Sequence, residues 1–144
     1  IATTTGRTSA PMDGDFPIVV EGVHFDKVPK TVELALFDGY HFKAESVAGS
    51  PSVRILKSTY DGGVKPRVYA QIKNMKRGVF TNLPLIVLLY DEDNNVYAAG
   101  RTMIPLLDKE EEEQISFVWN LSLKAPPVKI RIYPIIAPEL SIPR

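Results

Sequence analysis

The sequence predicts an all-β fold, an immunoglobulin-like antiparallel β-sandwich, and three observations lead to that prediction. Apolar and polar residues alternate with period two in several short runs, and no stretch longer than a turn has the 3.6-residue apolar stripe of a helix. Breaks rich in Gly, Pro, Asp or Asn separate these runs at intervals of roughly eight to twelve residues. The twelve prolines suit strand ends and edges, and proline is excluded from helix interiors.

The first third of the chain contains three predicted strands. Residues 16–25 form one β-prone run, with Gly22 as a candidate bulge. Residues 31–37 alternate cleanly, and Asp38-Gly39 separates them from residues 40–47. Asp-Gly between two such runs favours a hairpin, because both central positions of that turn need positive φ.

The middle of the chain contains the predicted centre of the core. Residues 53–60 and 67–74 are the next strands, and the second has the period-two pattern of a sheet with one wet face. The apolar run 83–90 is predicted to lie at the centre of the sandwich. Residues 91–95 form a polar turn that leads into the strand 96–103.

The last third contains two more predicted strands. Residues 110–113 are four consecutive glutamates, which we interpret as a solvated loop. Residues 115–119 form a short strand that carries the only Trp of the chain, and residues 128–133 form the last strand. The predicted organisation is thus one sandwich domain, residues 16–134.

Two segments flank this predicted domain. The arm, residues 1–15, has too few large apolar residues to fold alone. It is either a linker or a strand for a partner's sheet edge, through Ile1, Thr3, Thr5, Thr8 and Met12. The tail, residues 135–144, would expose apolar side chains in a monomer, and its assembly candidates are Ile135, Ile136, Leu140 and Ile142.

Composition excludes several kinds of function. Seventeen basic residues balance seventeen acidic ones, so the formal net charge of zero provides no long-range field for nucleic acid or an anionic membrane. No cysteine is present, which excludes disulfides and thiolate chemistry. No apolar run is long enough for a membrane span. The first residue is Ile1 rather than Met, from which we expect a cleaved export signal, the alternative being an arbitrary chain boundary.

Residues 52–134 resemble a known family. Residues 87–91 are Val-Leu-Leu-Tyr-Asp, which keeps the Leu-Tyr-Asp of a known five-residue motif. The alternating strand before it, residues 68–74, ends in Asn, and Asn94-Asn95 after it are predicted to form a turn. In these features the chain resembles the FxLYD immunoglobulin-like domains of prokaryotic surface proteins, with Val in place of the family's Phe. The resemblance implies cohesion, adhesion or assembly at a cell envelope, and it provides no catalytic residues.

The side chains provide no convincing site for catalysis or for a cofactor. His24 and His41 have Asp26 and Glu45 near them in sequence, but a metal site needs a third ligand and convergent geometry. We predict no enzyme activity and no metal or other cofactor. No nucleophile elbow and no phosphate-binding glycine loop is present in the sequence.

Four polar features have a binding interpretation beside a simpler structural one. The turn 91–95 could offer oxygens to Ca²⁺ but lacks the pattern of an EF-hand, so a plain hairpin loop is preferred. The glutamates 110–113 could bind cations, but a solvated charge run is the default. Lys73, Lys76 and Arg77, near Tyr69 and Phe80, could contact nucleic acid, against which the zero net charge argues. Asn120-Leu121-Ser122 is an N-glycosylation sequon.

These observations leave two main functional hypotheses. The preferred one is an extracellular or cell-surface subunit that forms a homo-oligomer or filament by β-strand addition through the arm, the tail or both. The alternative is a monomeric adhesive or carbohydrate-binding module that stacks glycans on a platform of Tyr69, Tyr97 and Tyr133.

Overall fold

The protein contains six β-strands in the residues that its computed structural model describes, 17–20, 23, 26, 30–33 and 52–136. None of these residues belongs to a helix. In chain order the strands are β1 Val53–Asp61, β2 Arg67–Asn74, β3 Phe80–Tyr90, β4 Val96–Leu107, β5 Glu112–Val118 and β6 Lys129–Pro134.

The strands form two three-stranded antiparallel sheets. Sheet A has the order β1-β2-β5, and sheet B has the order β4-β3-β6. The predicted all-β sandwich is confirmed, and so is the central place of the run 83–90, because β3 lies between two partners. The chain crosses between the sheets after β2, after β4 and after β5, so each sheet contains strands from distant parts of the sequence.

The core lies between the sheets and is built from the inward side chains of every strand. Val68, Ala70 and Ile72 of β2 face Leu85, Val87 and Leu89 of β3, and all are at most 1% exposed. β3 is also apolar on its other face, where Ile86 and Leu88 are 6% and 9% exposed. This strand is therefore buried on both faces, which explains why its sequence is one continuous apolar run.

The prediction that residues 110–113 form a solvated loop is wrong for the second half of this glutamate run. β5 begins at Glu112, so Glu112 and Glu113 belong to a strand. The side chain of Glu112 accepts hydrogen bonds from Gln71 Nε2 at 3.0 Å and from Lys73 Nζ at 2.9 Å. Polar partners on β2 thus extend β5 to the N-terminal side of its apolar part. Glu110, at φ 58°, remains in the turn.

The predicted strands before β1 are not formed where they can be described. Residues 17–20 and 31–33 belong to no strand. A period-two pattern supplies the side chains of a strand, but the backbone still needs a partner edge for its hydrogen bonds. The hairpin predicted at Asp38-Gly39, with residues 34–47, lies outside the described residues.

A single buried amide, Asn74, connects the turns at one end of the sandwich. Its side chain is 0% exposed at the end of β2. Nδ2 donates to the carbonyl oxygens of Gly78, Leu107 and Asp108 at 2.8, 3.2 and 2.9 Å. Oδ1 accepts from the Lys76 backbone N–H at 2.8 Å. One amide therefore ties the turn that leaves sheet A to the turn that leaves sheet B.

Replacement of Asn74 by Asp should lower the free energy of unfolding by about 3 kcal/mol, because it removes a donor and leaves buried carbonyl oxygens without a partner. Urea denaturation of the full chain measures the loss. The exposed Gln71→Ala variant serves as a control and should change stability by less than about 0.5 kcal/mol. Equal effects in the two variants would show that Asn74 does not connect the turns as described.

Candidate functional site

The two long sides of the sandwich differ, and the side formed by β4 and β5 is closed. Trp119, directly after β5, donates from Nε1 to the Ala99 carbonyl oxygen of β4 at 2.9 Å. A Cβ on Gly100 would lie 3.1 Å from Trp119 Cζ2 and 3.2 Å from Val87 Cγ1, so a larger residue there requires the indole ring or the Val87 side chain to shift by a few tenths of an ångström. Ile115 and Phe117 of β5 are accordingly 8% and 2% exposed.

The opposite side, formed by β1 and β6, is open in the part of the chain that the structure describes. Ser58 lies opposite the buried Ala70 and so points between the sheets, yet it is exposed. Ile55 of β1 and the β6 residues Ile130 and Ile132 pack against the core but are only partly buried. This open side, defined by β1 and β6, exposes inward apolar surface that a further strand would cover.

The backbone of β6 is oriented to receive such a strand. The Ile135 N–H donates to the Pro84 carbonyl oxygen at 2.8 Å, directly after the regular register of β6 with β3. Backbone groups alternate in direction along an antiparallel strand. The N–H and C=O groups of Ile130 and Ile132 therefore point away from β3, toward the open side.

The other edges carry features that oppose pairing. β1 has a bulge between Ile55 and Lys57, which disrupts the regular spacing of its backbone groups. β4 contains Pro105, which has no N–H to donate, and its Ala99 carbonyl is occupied by Trp119. β5 is polar at its start, with Glu112 and Gln114 exposed. β6 has a regular register from Lys129 to Pro134 and no bulge, but Pro134 has no N–H, so the donors that its open edge offers are those of Ile130 and Ile132.

Half of the predicted assembly tail belongs to the fold of its own chain. Ile135 continues the hydrogen bonding of β6 with Pro84, and Ile136 packs against the core. Leu140 and Ile142 lie outside the described residues, as do all the arm residues, Ile1, Thr3, Thr5, Thr8 and Met12.

The structure does not bring the three tyrosines of the proposed platform together. Tyr69 alternates with the buried Val68 and Ala70 and so lies on the outer face of sheet A. Tyr133 pairs with Ile86 on the outer face of sheet B. Tyr97 packs against the core, and its hydroxyl donates to the Ala125 carbonyl oxygen at 2.8 Å. The residues alternate as strands, but the sequence does not reveal which sheet each strand joins.

Tyr97 instead separates two open grooves at the end of the sandwich where β3 turns into β4. One groove is lined by Tyr97, Trp119 and the segment 120–124. The other lies between the turn 91–93, Tyr97 and the segment 124–128. The pKa of the Tyr97 hydroxyl is raised above its usual value, first by burial and then by the proximity of Tyr60 and Asp91.

The turn 91–95 connects β3 and β4 as a hairpin loop. Asp91 Oδ1 accepts from the backbone N–H groups of Asp93 at 3.1 Å and Asn95 at 2.8 Å, and Asn94 has φ 61°. The carboxylate of Asp91 thus stabilises the turn itself. Among the described residues, no group of three or more His, Asp or Glu side chains is arranged to hold a metal ion.

The remaining candidate residues are dispersed. Lys73 forms an ion pair with Glu112 at 2.9 Å, and Lys76 lies 5.6 Å from the centroid of the Phe80 ring, so their charges serve contacts within the chain. Asn120 is exposed in the segment after β5. His24 and His41 lie outside the described residues. Within the described part of the chain, no helix is long and apolar enough to cross a membrane.

No family model, curated protein or solved structure matches the chain. The resemblance of residues 52–134 to FxLYD domains therefore stays a prediction, and the functional argument depends on the geometry described above.

Gly100→Ala should destabilise the protein by about 1–3 kcal/mol, because the added methyl group displaces the Trp119 ring or strains the backbone of β4. Trp119 is the only Trp, so a shift of its fluorescence emission to longer wavelength reports its exposure to water. Gly78→Ala is the matched control, since nothing lies within 4 Å of its added Cβ. Unchanged emission and stability in Gly100→Ala would contradict the close packing.

Tyr97 should make the free energy of unfolding depend on pH in the alkaline range. Its pKa in the folded protein is raised above the usual value of 10.0, so the folded state retains the proton more strongly than the unfolded state. This contribution is fully present below the unfolded pKa and is lost as the pH rises through the folded pKa. Urea denaturation at a series of pH values should therefore give a smaller alkaline loss for Tyr97→Phe than for the unmodified chain. Equal losses would contradict the shift.

Proposed function

We propose that this chain is a non-enzymatic structural subunit of the cell surface that assembles by β-strand addition between neighbouring sandwiches. The observation that carries the proposal is the difference between the two sides of the sandwich. One side is closed by Trp119, whereas the other leaves Ile130, Ile132 and the inward-pointing Ser58 incompletely covered. A strand from a neighbour would cover this surface and pair with the backbone groups of β6 that have no partner strand among the described residues.

The edge of β6 supports strand addition in both its backbone and its side chains. Its outward N–H and C=O groups belong to Ile130 and Ile132, whose side chains face the core. An incoming strand would extend sheet B and place every second side chain between the sheets. Backbone hydrogen bonds would then contribute to affinity, and the fit of the alternate side chains would determine specificity.

The charge of the chain is compatible with association of like copies. The formal net charge is zero, so two copies do not repel one another over long distances. The donated segment and the acceptor edge are different parts of the chain. Such a contact is heterologous, and its repetition produces an open filament unless the rotation between copies closes a ring.

One observation favours the second candidate, a monomeric adhesive or carbohydrate-binding module. The groove between Tyr97, Trp119 and residues 120–124 combines two aromatic rings with polar groups, which is the composition of a site that stacks sugar rings. This groove replaces the platform of three tyrosines. Glycan-array binding by a monodisperse monomer, lost on Trp119→Ala in a variant that remains folded, would favour the module over the subunit.

The assembly function predicts that the full chain self-associates. In sedimentation velocity experiments, the weight-average sedimentation coefficient should rise with protein concentration. Deletion of residues 1–15 and, separately, of residues 137–144 then tests whether either segment is the donor. A full chain that stays monomeric over the whole concentration range would overturn the proposal.

A further inference from the structure

We propose that the strand donated to the β6 edge is the run at residues 17–20 of a second copy of the chain, with Ile18 and Val20 as its core-facing side chains. This inference depends on the proposed function and deepens it, since it names the two surfaces that meet. The donor then lies inside the predicted domain, next to the arm rather than within it.

The donor run has the properties of a strand without a sheet. Residues 17–20 are Pro-Ile-Val-Val, followed by Glu21, Gly22 and Val23, and β-branched residues of this kind favour extended structure. Nevertheless, residues 17–20 belong to no strand. Ile18 and Val20 are 43% and 52% exposed, whereas Pro17 and Val19 are partly buried. Side chains two residues apart on an extended segment point to the same face, so Ile18 and Val20 would form one apolar face once the run is paired as a strand.

The acceptor surface has a complementary arrangement. β6 directs the backbone groups of Ile130 and Ile132 away from β3, and the side chains of these two residues point inward. A strand paired there would place alternate side chains between the sheets, beside Ile130 and Ile132 and opposite the exposed Ser58 of β1. The added strand would therefore need two apolar side chains that are two residues apart, one beside Ile130 and one beside Ile132. Ile18 and Val20 provide this pair.

We assign the pairing to a second copy because the described part of the single chain does not contain it. Among the described residues, β6 pairs with β3 alone and residues 17–20 pair with no strand. Within the part of the chain that the structure describes, the donor run and the acceptor edge are thus both present and neither has a partner strand at these positions. Association of two copies satisfies the backbone groups of both and buries both apolar faces.

Substitutions on the two faces of the donor run test the assignment. Ile18→Lys together with Val20→Lys places charges that would be buried without a partner, so self-association should weaken by about 100-fold or more. Val19→Lys is the matched control, because Val19 points to the opposite face and should leave self-association within about threefold of the unmodified chain. Sedimentation velocity measures association, and circular dichroism with thermal unfolding shows that each variant is folded.

Cysteine cross-linking identifies the acceptor edge. The chain contains no cysteine, so each introduced thiol is unique. Copies with Val19→Cys are mixed with copies that carry Arg131→Cys or Tyr133→Cys, on the outer face of β6, or Ser116→Cys at the β5 edge as a control. Under mild oxidation, a disulfide-linked heterodimer should form between Val19→Cys and at least one of the β6 variants. No heterodimer should form between Val19→Cys and Ser116→Cys.

The outcomes separate this inference from the proposed function. If the unmodified chain associates but the Ile18→Lys/Val20→Lys variant associates equally well, the donor assignment is wrong and the proposed function stands. Loss of association on deletion of residues 1–15 with the donor run intact, or cross-linking to Ser116→Cys alone, would also overturn the assignment. If the unmodified chain remains monomeric, both fail.

Discussion

The relative placement of the two sheets depends on the buried amide of Asn74. A two-layer sandwich needs its chain crossings to be held in place, because the apolar contacts between sheets have no directional preference. The hydrogen bonds of the Asn74 side chain are directional. They connect the turn between β2 and β3 to the turn after β4. The backbone N–H of Asn74 donates to the Glu111 carbonyl oxygen at 3.0 Å, so the start of β5 is held at the same point. Four strands therefore meet at one residue that has no exposed surface.

The two long sides of the sandwich differ in how completely they are closed. Trp119 closes the side between β4 and β5 with one indole ring and one hydrogen bond, and the missing side chain of Gly100 makes room for it. The side between β1 and β6 has no equivalent closure among the described residues. The bulge in β1 disrupts the spacing of its backbone groups, whereas β6 keeps a regular register with β3, and for this reason the proposed function places the added strand at β6. The candidate function follows from this difference rather than from any reactive side chain.

The sequence predicted that all six described strands exist, because most have a period-two or continuous apolar pattern, but β3 begins at Phe80, before the predicted 83, and β4 continues to Leu107, beyond the predicted 103. The sequence-based prediction failed where the formation of a strand depends on whether a neighbouring strand is available to form hydrogen bonds with it. Glu112 and Glu113 joined β5 through partners on β2, and residues 17–20 found no partner. Tyr69, Tyr97 and Tyr133 lie on different surfaces, which the sequence did not predict because strand order cannot be read from alternation. Gly100 carried a signal that was missed, since an isolated glycine in a strand often marks a close approach. The open side of β6 has no local signal, because an edge is defined only by the absence of a neighbour.

The burial of β3 on both faces has a consequence for synthesis of the chain. From Leu83 to Leu89 the strand presents apolar side chains in both directions, and both of its partners follow it in sequence. While the ribosome adds the remaining residues, this segment is β-prone and uncharged, and such segments are hazards for aggregation until they are paired. The short turn after Tyr90 lets β4 pair early, whereas β6 arrives only after β5 has been made. Folding yield should therefore respond to the speed of translation beyond Leu107.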